Sequence, residues 1–149
     1  MITAMIIDDE PKSVFILKCF LEEHCPDVKV VAVAGSARNG RELLKATKPQ
    51  LLFLDIEMPG GSGFDLLQSL PTVDFEVIFI TAYNQYAINA FRFSAIDYLL
   101  KPLRIQDLIK AVEKAGKRIN EKTVTSNYES LLRNLREQNG SKLKVSFTE

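Results

Sequence analysis

The sequence predicts an α/β fold, a parallel sheet of five strands covered by helices on both faces. Three observations predict it. Five short runs, at residues 3–8, 28–34, 51–55, 76–80 and 96–100, are rich in Ile, Val, Leu and Phe. They are mostly apolar throughout rather than alternating, as strands buried on both faces are. Each is separated from the next by a segment with helical signals, so the order reads βα five times, as parallel pairing requires.

The first strand, "TAMIID" (3–8), stops on an acidic residue. The first helix, "PKSVFILKCFLEEHC" (11–25), opens on Pro11, which suits a first helical turn, and stops before Pro26. Val14, Phe15, Ile16, Leu17, Cys19, Phe20 and Leu21 occupy most of its circumference, more than one buried face requires. Two readings follow, a deeply buried helix or one that keeps an exposed apolar docking patch. "VKVVAVA" (28–34) is the second strand, and "SARNGRELLKATK" (36–48) the second helix with Ser36 as its cap. "LLFLD" (51–55) is the third strand, followed by "IEMPGGSG" and a helix "GFDLLQSL" that ends at Pro71.

The fourth strand is "EVIFI" (76–80), and "NQYAINAFRF" (84–93) reads as the fourth helix, with Tyr83, Tyr86, Phe91 and Phe93 expected mostly in the core. "IDYLL" (96–100) is the fifth strand. "RIQDLIKAVEKAGKRI" (104–119) then carries Ile105, Leu108, Ile109 and Val112 at helical spacing. Residues 121–140 read as a linker that is only partly helical, with Leu131, Leu132 and Leu135 among charges, either a frayed spacer or one half of a two-chain coil. In "KLKVSFTE" (142–149), Leu143, Val145 and Phe147 alternate in strand fashion.

A chain of 149 residues that is 46% hydrophobic can bury a single core and is not compositionally disordered. Basic and acidic residues number 19 each, but residues 104–149 hold ten basic and six acidic side chains, leaving an acidic front and a basic tail. Cys19 and Cys25 lie roughly 240° apart on a helix, which disfavours a bridge. With His24 as the single histidine, a Cys/His zinc cluster lacks ligands. No apolar run approaches the length of a membrane span or a signal peptide, so a cytoplasmic protein without membrane attachment is expected.

In parallel α/β sheets ligands sit beyond the carboxyl ends of the strands. The residues there are Asp8 and Asp9 after the first strand, Asp55 after the third, Thr81 after the fourth, and Lys101 before Pro102 after the fifth. Three carboxylates at one rim raise each other's pKa unless a cation compensates them. An all-oxygen donor set favours Mg²⁺, which leaves room for a phosphate. Lys101 adds a mobile cation and Thr81 a hydroxyl donor, so the rim holds what phosphoryl transfer needs, with Asp55 as the oxygen nucleophile. Each residue also has a plainer reading: acids that open a helix, which is the better reading of Glu10, an Asp in a Pro-Gly turn, a strand Thr, a half-buried Tyr98, a loop Lys.

The motifs "IIDDEP", "FLDIEMPGGSG", "ITAY" and "DYLLKP", in this order and spacing, resemble those of the receiver domain of two-component response regulators. The resemblance implies a flavodoxin-like doubly wound (βα)5 sheet over residues 1–120. It implies transfer of a phosphoryl group from a sensor histidine kinase to Asp55, with Mg²⁺ held by Asp9, Asp55 and the backbone carbonyl of Glu57, and with Asp8 acting through water. Lys101 would pair with the acyl phosphate, and the Lys101–Pro102 peptide would be cis. Thr81 and Tyr98 would be the switch pair, read out as homodimerisation through the fourth and fifth helices and the fifth strand. The molecule would be a signalling module that assists its own phosphorylation and dephosphorylation rather than a turnover enzyme.

The stretch "TAYNQYAINAFRFSAIDYLLKPL" is similar to receivers coupled to a LytTR-type DNA-binding domain, with transcriptional regulation as the implied output. Residues 141–149 would then be the first residues of that missing domain, and DNA would be contacted only through it. In that family the positions of Glu57 and Tyr83 tune water attack on the aspartyl phosphate; an acid and a bulky aromatic there are expected to hinder it. Gly61 replaces a usual hydrophobic residue and is expected to loosen the loop after Asp55. Two alternatives stand beside this reading: a small Mg²⁺ phosphatase with an aspartate nucleophile, and a phosphate-independent receiver that only binds proteins.

Overall fold

In the computed structural model, which describes residues 1–139, the chain forms two units, Met1–Gly116 and the segment from Lys117 onward. The first unit contains β1 (Ile2–Ile7), α1 (Pro11–His24), β2 (Val28–Ala34), α2 (Ala37–Thr47), β3 (Leu51–Leu54), α3 (Gly63–Ser69), β4 (Glu76–Thr81), α4 (Ala87–Phe91) and β5 (Asp97–Leu100). α5 (Ile105–Asn139) starts in it and supplies the described part of the second unit.

All five strands are parallel, in the order β2-β1-β3-β4-β5. That is the flavodoxin-like order, and its reversal point falls between β1 and β3. One face packs Met5, Ile7, Leu52, Leu54, Val77 and Phe79 against Leu44 of α2 and Leu66 and Leu67 of α3. The alternate residues Ile6, Phe53 and Ile80 point the other way and line a groove with Leu17 and Phe20 of α1. Coverage of both faces explains why every residue of β3 and β4 is buried and why these strands carry unbroken apolar runs.

Local signals end the elements where the sequence places them. Ser36 accepts a hydrogen bond from Asn39 N and caps α2. Ser62 and Asp65 form a reciprocal capping box at the start of α3. Pro11 occupies the first turn of α1, and the Lys101–Pro102 peptide is cis, as expected. Cys19 and Cys25 are free thiols, and burial pushes the Cys25 thiol up. Among the described residues no helix is long and apolar enough to cross a membrane.

Four local readings differ from the sequence expectation. β2 is an edge strand with Val31 39% and Val33 38% exposed, and its ladder with β1 shifts register opposite Ala4 and Met5. Such an irregularity makes an edge a poor template for a further strand. The fourth helix is broken into a 3₁₀ turn at Asn84–Tyr86 and the five residues of α4, because no side chain caps either start and Ser94, at φ 54, turns the chain away. Tyr83 is exposed rather than core, whereas Tyr86 and Phe93 pack against the core as expected and the Phe91 side chain lies outside what is described. α5 does not stop near residue 119: with no Pro or Gly between Gly116 and Asn139, the helix is continuous to Asn139, throughout the described part of the segment expected to be only partly helical. The alternating stretch at 142–149 lies outside the described residues.

Candidate functional site

The ladder continues one residue beyond several strands, and this places the reactive side chains. Asp8 N donates to Ala34 O at 3.0 Å, Asp55 N to Ile7 O at 3.0 Å, and Lys101 N to Thr81 O at 2.8 Å. With Ile7 opposite Leu54 in the β1–β3 register, Asp8 and Asp55 stand abreast across the reversal point of the sheet.

Lys101 is the centre of the cluster. Its ammonium lies 3.0 Å from Asp8 Oδ2, 3.1 Å from Asp55 Oδ2 and 3.2 Å from Glu10 Oε1, so its three N–H donors have three carboxylate partners. The second oxygens are also held: Asp8 Oδ1 accepts from Glu10 N at 2.9 Å, and Asp55 Oδ1 from Ile56 N at 2.7 Å. Burial works against the Lys101 charge, but the hydrogen bond to Asp8 and the attraction of Asp55 and Asp8 outweigh it and hold its pKa above the ordinary lysine value. Burial pushes the Asp8 carboxyl up, opposed by the Glu10 amide and Lys101, with repulsion from Asp55 adding to the rise.

Asp8, Asp9 and Asp55 each offer a carboxylate oxygen, and these atoms all lie within 4.8 Å of one another. One ammonium faces this set together with Glu10, so negative charge is in excess. A small, hard divalent cation fits such an all-oxygen donor set, and Asp9, the exposed member, leaves a side open to water and ligand.

Gly63 lets the loop close beneath Asp55. A Cβ there would stand 2.4 Å from the Asp55 carbonyl oxygen and 3.0 Å from Leu54 Cγ, while Gly63 N donates to Ile56 O at 2.8 Å. Gly60, at φ 84, takes the left-handed turn of the same loop. Glu57, two residues past Asp55, is exposed, and its carboxylate accepts a hydrogen bond from the Tyr86 hydroxyl.

Thr81 is fully buried at the end of β4, and its hydroxyl accepts from Tyr83 N at 3.4 Å. Tyr98 is half-buried, its ring 6.3 Å from Phe79, and its hydroxyl donates to the Tyr83 carbonyl. The structure therefore joins Asp8, Asp9, Asp55 and Lys101 in one cluster, and Thr81 and Tyr98 in a second group that meets at the backbone of Tyr83. Two partnerships carry no signal in the sequence. Glu10, which beside Pro11 reads as a first-turn acid, is a Lys101 partner, and Tyr86, which packs against the core as expected, also bonds Glu57.

Beside Asp55 and Lys101 runs an apolar groove of about 390 Å³, lined by Phe15, Ile16 and Phe20 of α1 and by Leu103. Phe15 is 69% exposed, so α1 is not fully buried; it keeps an apolar surface next to the carboxylates.

A family model described as the response regulator receiver domain matches residues 4–113. The chain is 39% identical over 132 residues to a response regulatory protein of Vibrio vulnificus, covering 88% of this chain and 54% of the relative. It is 40% identical over 119 residues to the sensory transduction protein LytT of Enterococcus faecalis, covering 78% of this chain and 49% of LytT. The chain thus spans about half the length of these curated relatives. Among solved structures it is similar to the response regulatory domain of mrkE from Klebsiella pneumoniae, with a TM-score of 0.73, 26% identity, and coverage of 80% of this chain and 98% of that one. A response regulator receiver domain from Clostridium thermocellum gives a TM-score of 0.70 at 29% identity, covering 84% and 99%.

Proposed function

The chain belongs to the family of response regulator receiver domains, and from that premise we propose that Asp55 is its phosphoacceptor and that phosphorylation switches its partners. The observation that carries this is the placement of Lys101 Nζ 3.1 Å from Asp55 Oδ2, with Asp8 and Asp9 completing the carboxylate set. An Asp55 oxygen attacks the phosphorus of a phosphohistidine on a sensor kinase; the new O–P bond forms as the P–N bond breaks, and the imidazole leaves. Receiver domains bind Mg²⁺ at an acidic pocket, where the cation neutralises the phosphoryl oxygens and the crowded carboxylates. Asp9, Asp55 and the Glu57 carbonyl would hold it here, with Asp8 through water. Lys101 already bonds Asp55 Oδ2, and its charge would pass to the phosphoryl group.

Thr81 and Tyr98 form the readout. A phosphoryl oxygen that draws the Thr81 hydroxyl towards Asp55 would break its contact with Tyr83 N and shift the carbonyl that Tyr98 holds. The face around α4, β5 and the start of α5 would then alter its affinity for a second copy of the chain. Exposed Phe15 and Ile16 beside Asp55 support docking of a kinase helix on α1. The similarity to LytT and to the transcriptional regulatory protein BtsR of Escherichia coli supports a transcriptional output through a LytTR-type DNA-binding domain beyond residue 140. Receiver, helical connector and output domain would follow one another with boundaries near residues 120 and 140.

The deciding experiment is incubation with Mg²⁺ and a small acyl phosphate, followed by mass spectrometry. One acid-stable, base-labile phosphoryl group that Asp55→Asn abolishes is expected; modification elsewhere, or none, overturns the proposal.

A further inference from the structure

A second groove is lined by Ile56, Glu57, Met58, Phe64, Tyr83 and Tyr86. Here the segment after β3 faces the segment after β4, and the Tyr86–Glu57 hydrogen bond joins them across 29 residues of sequence. The Tyr86 ring is fixed edge-on to Phe64, with centroids 6.1 Å apart at 69°, and to Tyr83, 6.3 Å apart at 70°. Phe64 is itself anchored by stacking on Phe93 at 5.3 Å and by tilting against Phe79 at 5.2 Å. An exposed glutamate can be solvated without cost, and confining it costs side-chain entropy. A phenol held by two aromatic neighbours and aimed at the carboxylate offsets that cost with a charge-assisted hydrogen bond.

We infer that Tyr86 is a positioning residue that holds the Glu57 carboxylate against the segment after β4 and thereby slows hydrolysis of the phosphoryl group on Asp55. The inference rests on the phosphoacceptor reading above. In that hydrolysis a water oxygen attacks phosphorus opposite the Asp55 oxygen. The new O–P bond forms as the bond to Asp55 breaks; the carboxylate and inorganic phosphate are released and the proton passes to solvent. Glu57 and Tyr83, two residues past Asp55 and Thr81, both border this groove, and on this inference the water approaches between them. An untethered Glu57 carboxylate there is a base able to orient and deprotonate water. Tethered, it spends a lone pair on the Tyr86 hydroxyl and draws the two segments together. Removal of the hydroxyl frees the base and opens the gap, and both effects act in the same direction.

The test follows decay of the phosphorylated protein in excess Mg²⁺ after the donor is removed. Tyr86→Phe, which keeps the ring packing, is expected to decay about fivefold faster, the rate factor of one ordinary hydrogen bond. In a Glu57→Ala background there is nothing left to tether, so Tyr86→Phe should add less than about twofold. Calorimetric Mg²⁺ affinity of the unphosphorylated Tyr86→Phe protein should stay within about twofold of the parent, because side-chain tethering leaves the carbonyl and carboxylate ligands in place. An unchanged or slower decay in Tyr86→Phe overturns the inference. So does an equal acceleration in both backgrounds, which shows Tyr86 acting without Glu57, or a loss of Mg²⁺ affinity that parallels the faster decay, which shows it acting through the metal site rather than the Glu57 carboxylate. A parent protein that takes no phosphoryl group at Asp55 overturns the phosphoacceptor reading itself, a failure visible before any variant is compared.

Discussion

Tyr98 holds Tyr83 by its carbonyl, while the amide of the same residue bonds Thr81 at 3.4 Å. A buried hydroxyl near Asp55 and a half-buried phenol at the edge of the sheet thus share one peptide segment, and movement of either is felt by the other. Tyr98→Phe removes this link but keeps the ring against Phe79. Phosphorylation of Asp55 by a small donor should continue, while any phosphate-induced shift in sedimentation or elution mass is lost. The stability cost should be about 1 kcal/mol, the value of a single hydrogen bond.

Asp8→Asn tests the crowding of charge. Burial and Asp55 both disfavour the ionised Asp8 carboxylate, and Lys101 retains Asp55 and Glu10 as partners when it is removed. The metal-free protein should melt at a temperature equal to or higher than the parent's. The rise in melting temperature that Mg²⁺ produces should shrink to a fraction of the parent's, because a ligand stabilises only in proportion to its affinity for the folded state.

Lys101→Met leaves Asp8 and Asp55 facing each other without their cation. A loss of about 3 kcal/mol in denaturant unfolding without metal is expected, the range for breaking a buried pair by removing one partner. Mg²⁺ should recover part of that stability, and the phosphorylated state should fail to alter the Thr81–Tyr98 group.

Gly63→Ala sets a methyl group 2.4 Å from the backbone carbonyl oxygen of Asp55, which cannot give way as the end of a flexible side chain could. Destabilisation of about 2 kcal/mol, typical of overpacking, should accompany slower phosphorylation as Asp55 is displaced.

Phe15→Ala changes an exposed side chain beside the apolar groove. Stability should stay within about 0.5 kcal/mol of the parent and small-donor phosphorylation should be unchanged. Transfer from a histidine kinase should fall by about tenfold, the effect of losing roughly 1.4 kcal/mol of docking energy.

The strands and their rim residues were legible because burial on both faces writes itself as unbroken apolar runs, and each run of β1, β3 and β4 ends on the residue that the rim uses. β2 obeyed a different rule: as an edge strand it is half-exposed, yet its Val residues give it the same composition as a buried one. The broken start of the fourth helix was hidden because its cue is an absent cap rather than a present residue. Tyr86 and Glu57 could not be paired from the sequence at all, since their contact depends on how two loops converge. Glu10 is ambiguous in the sequence because an acid beside Pro11 serves helix initiation equally well, and only the reach of Lys101 across the sheet separates the two roles.

Asp8, Asp55 and Lys101 owe their positions to ladder hydrogen bonds that run one step past the strands. Because side chains alternate faces along a strand, a slip of one residue in β1 or β3 would turn its carboxylate away from the others. If Asp55 takes the phosphoryl group as proposed, its acquisition would therefore also be an assay of correct strand registration. A misfolded copy would be silent by construction, and any reader of the modified form would count only molecules whose sheet has assembled in order.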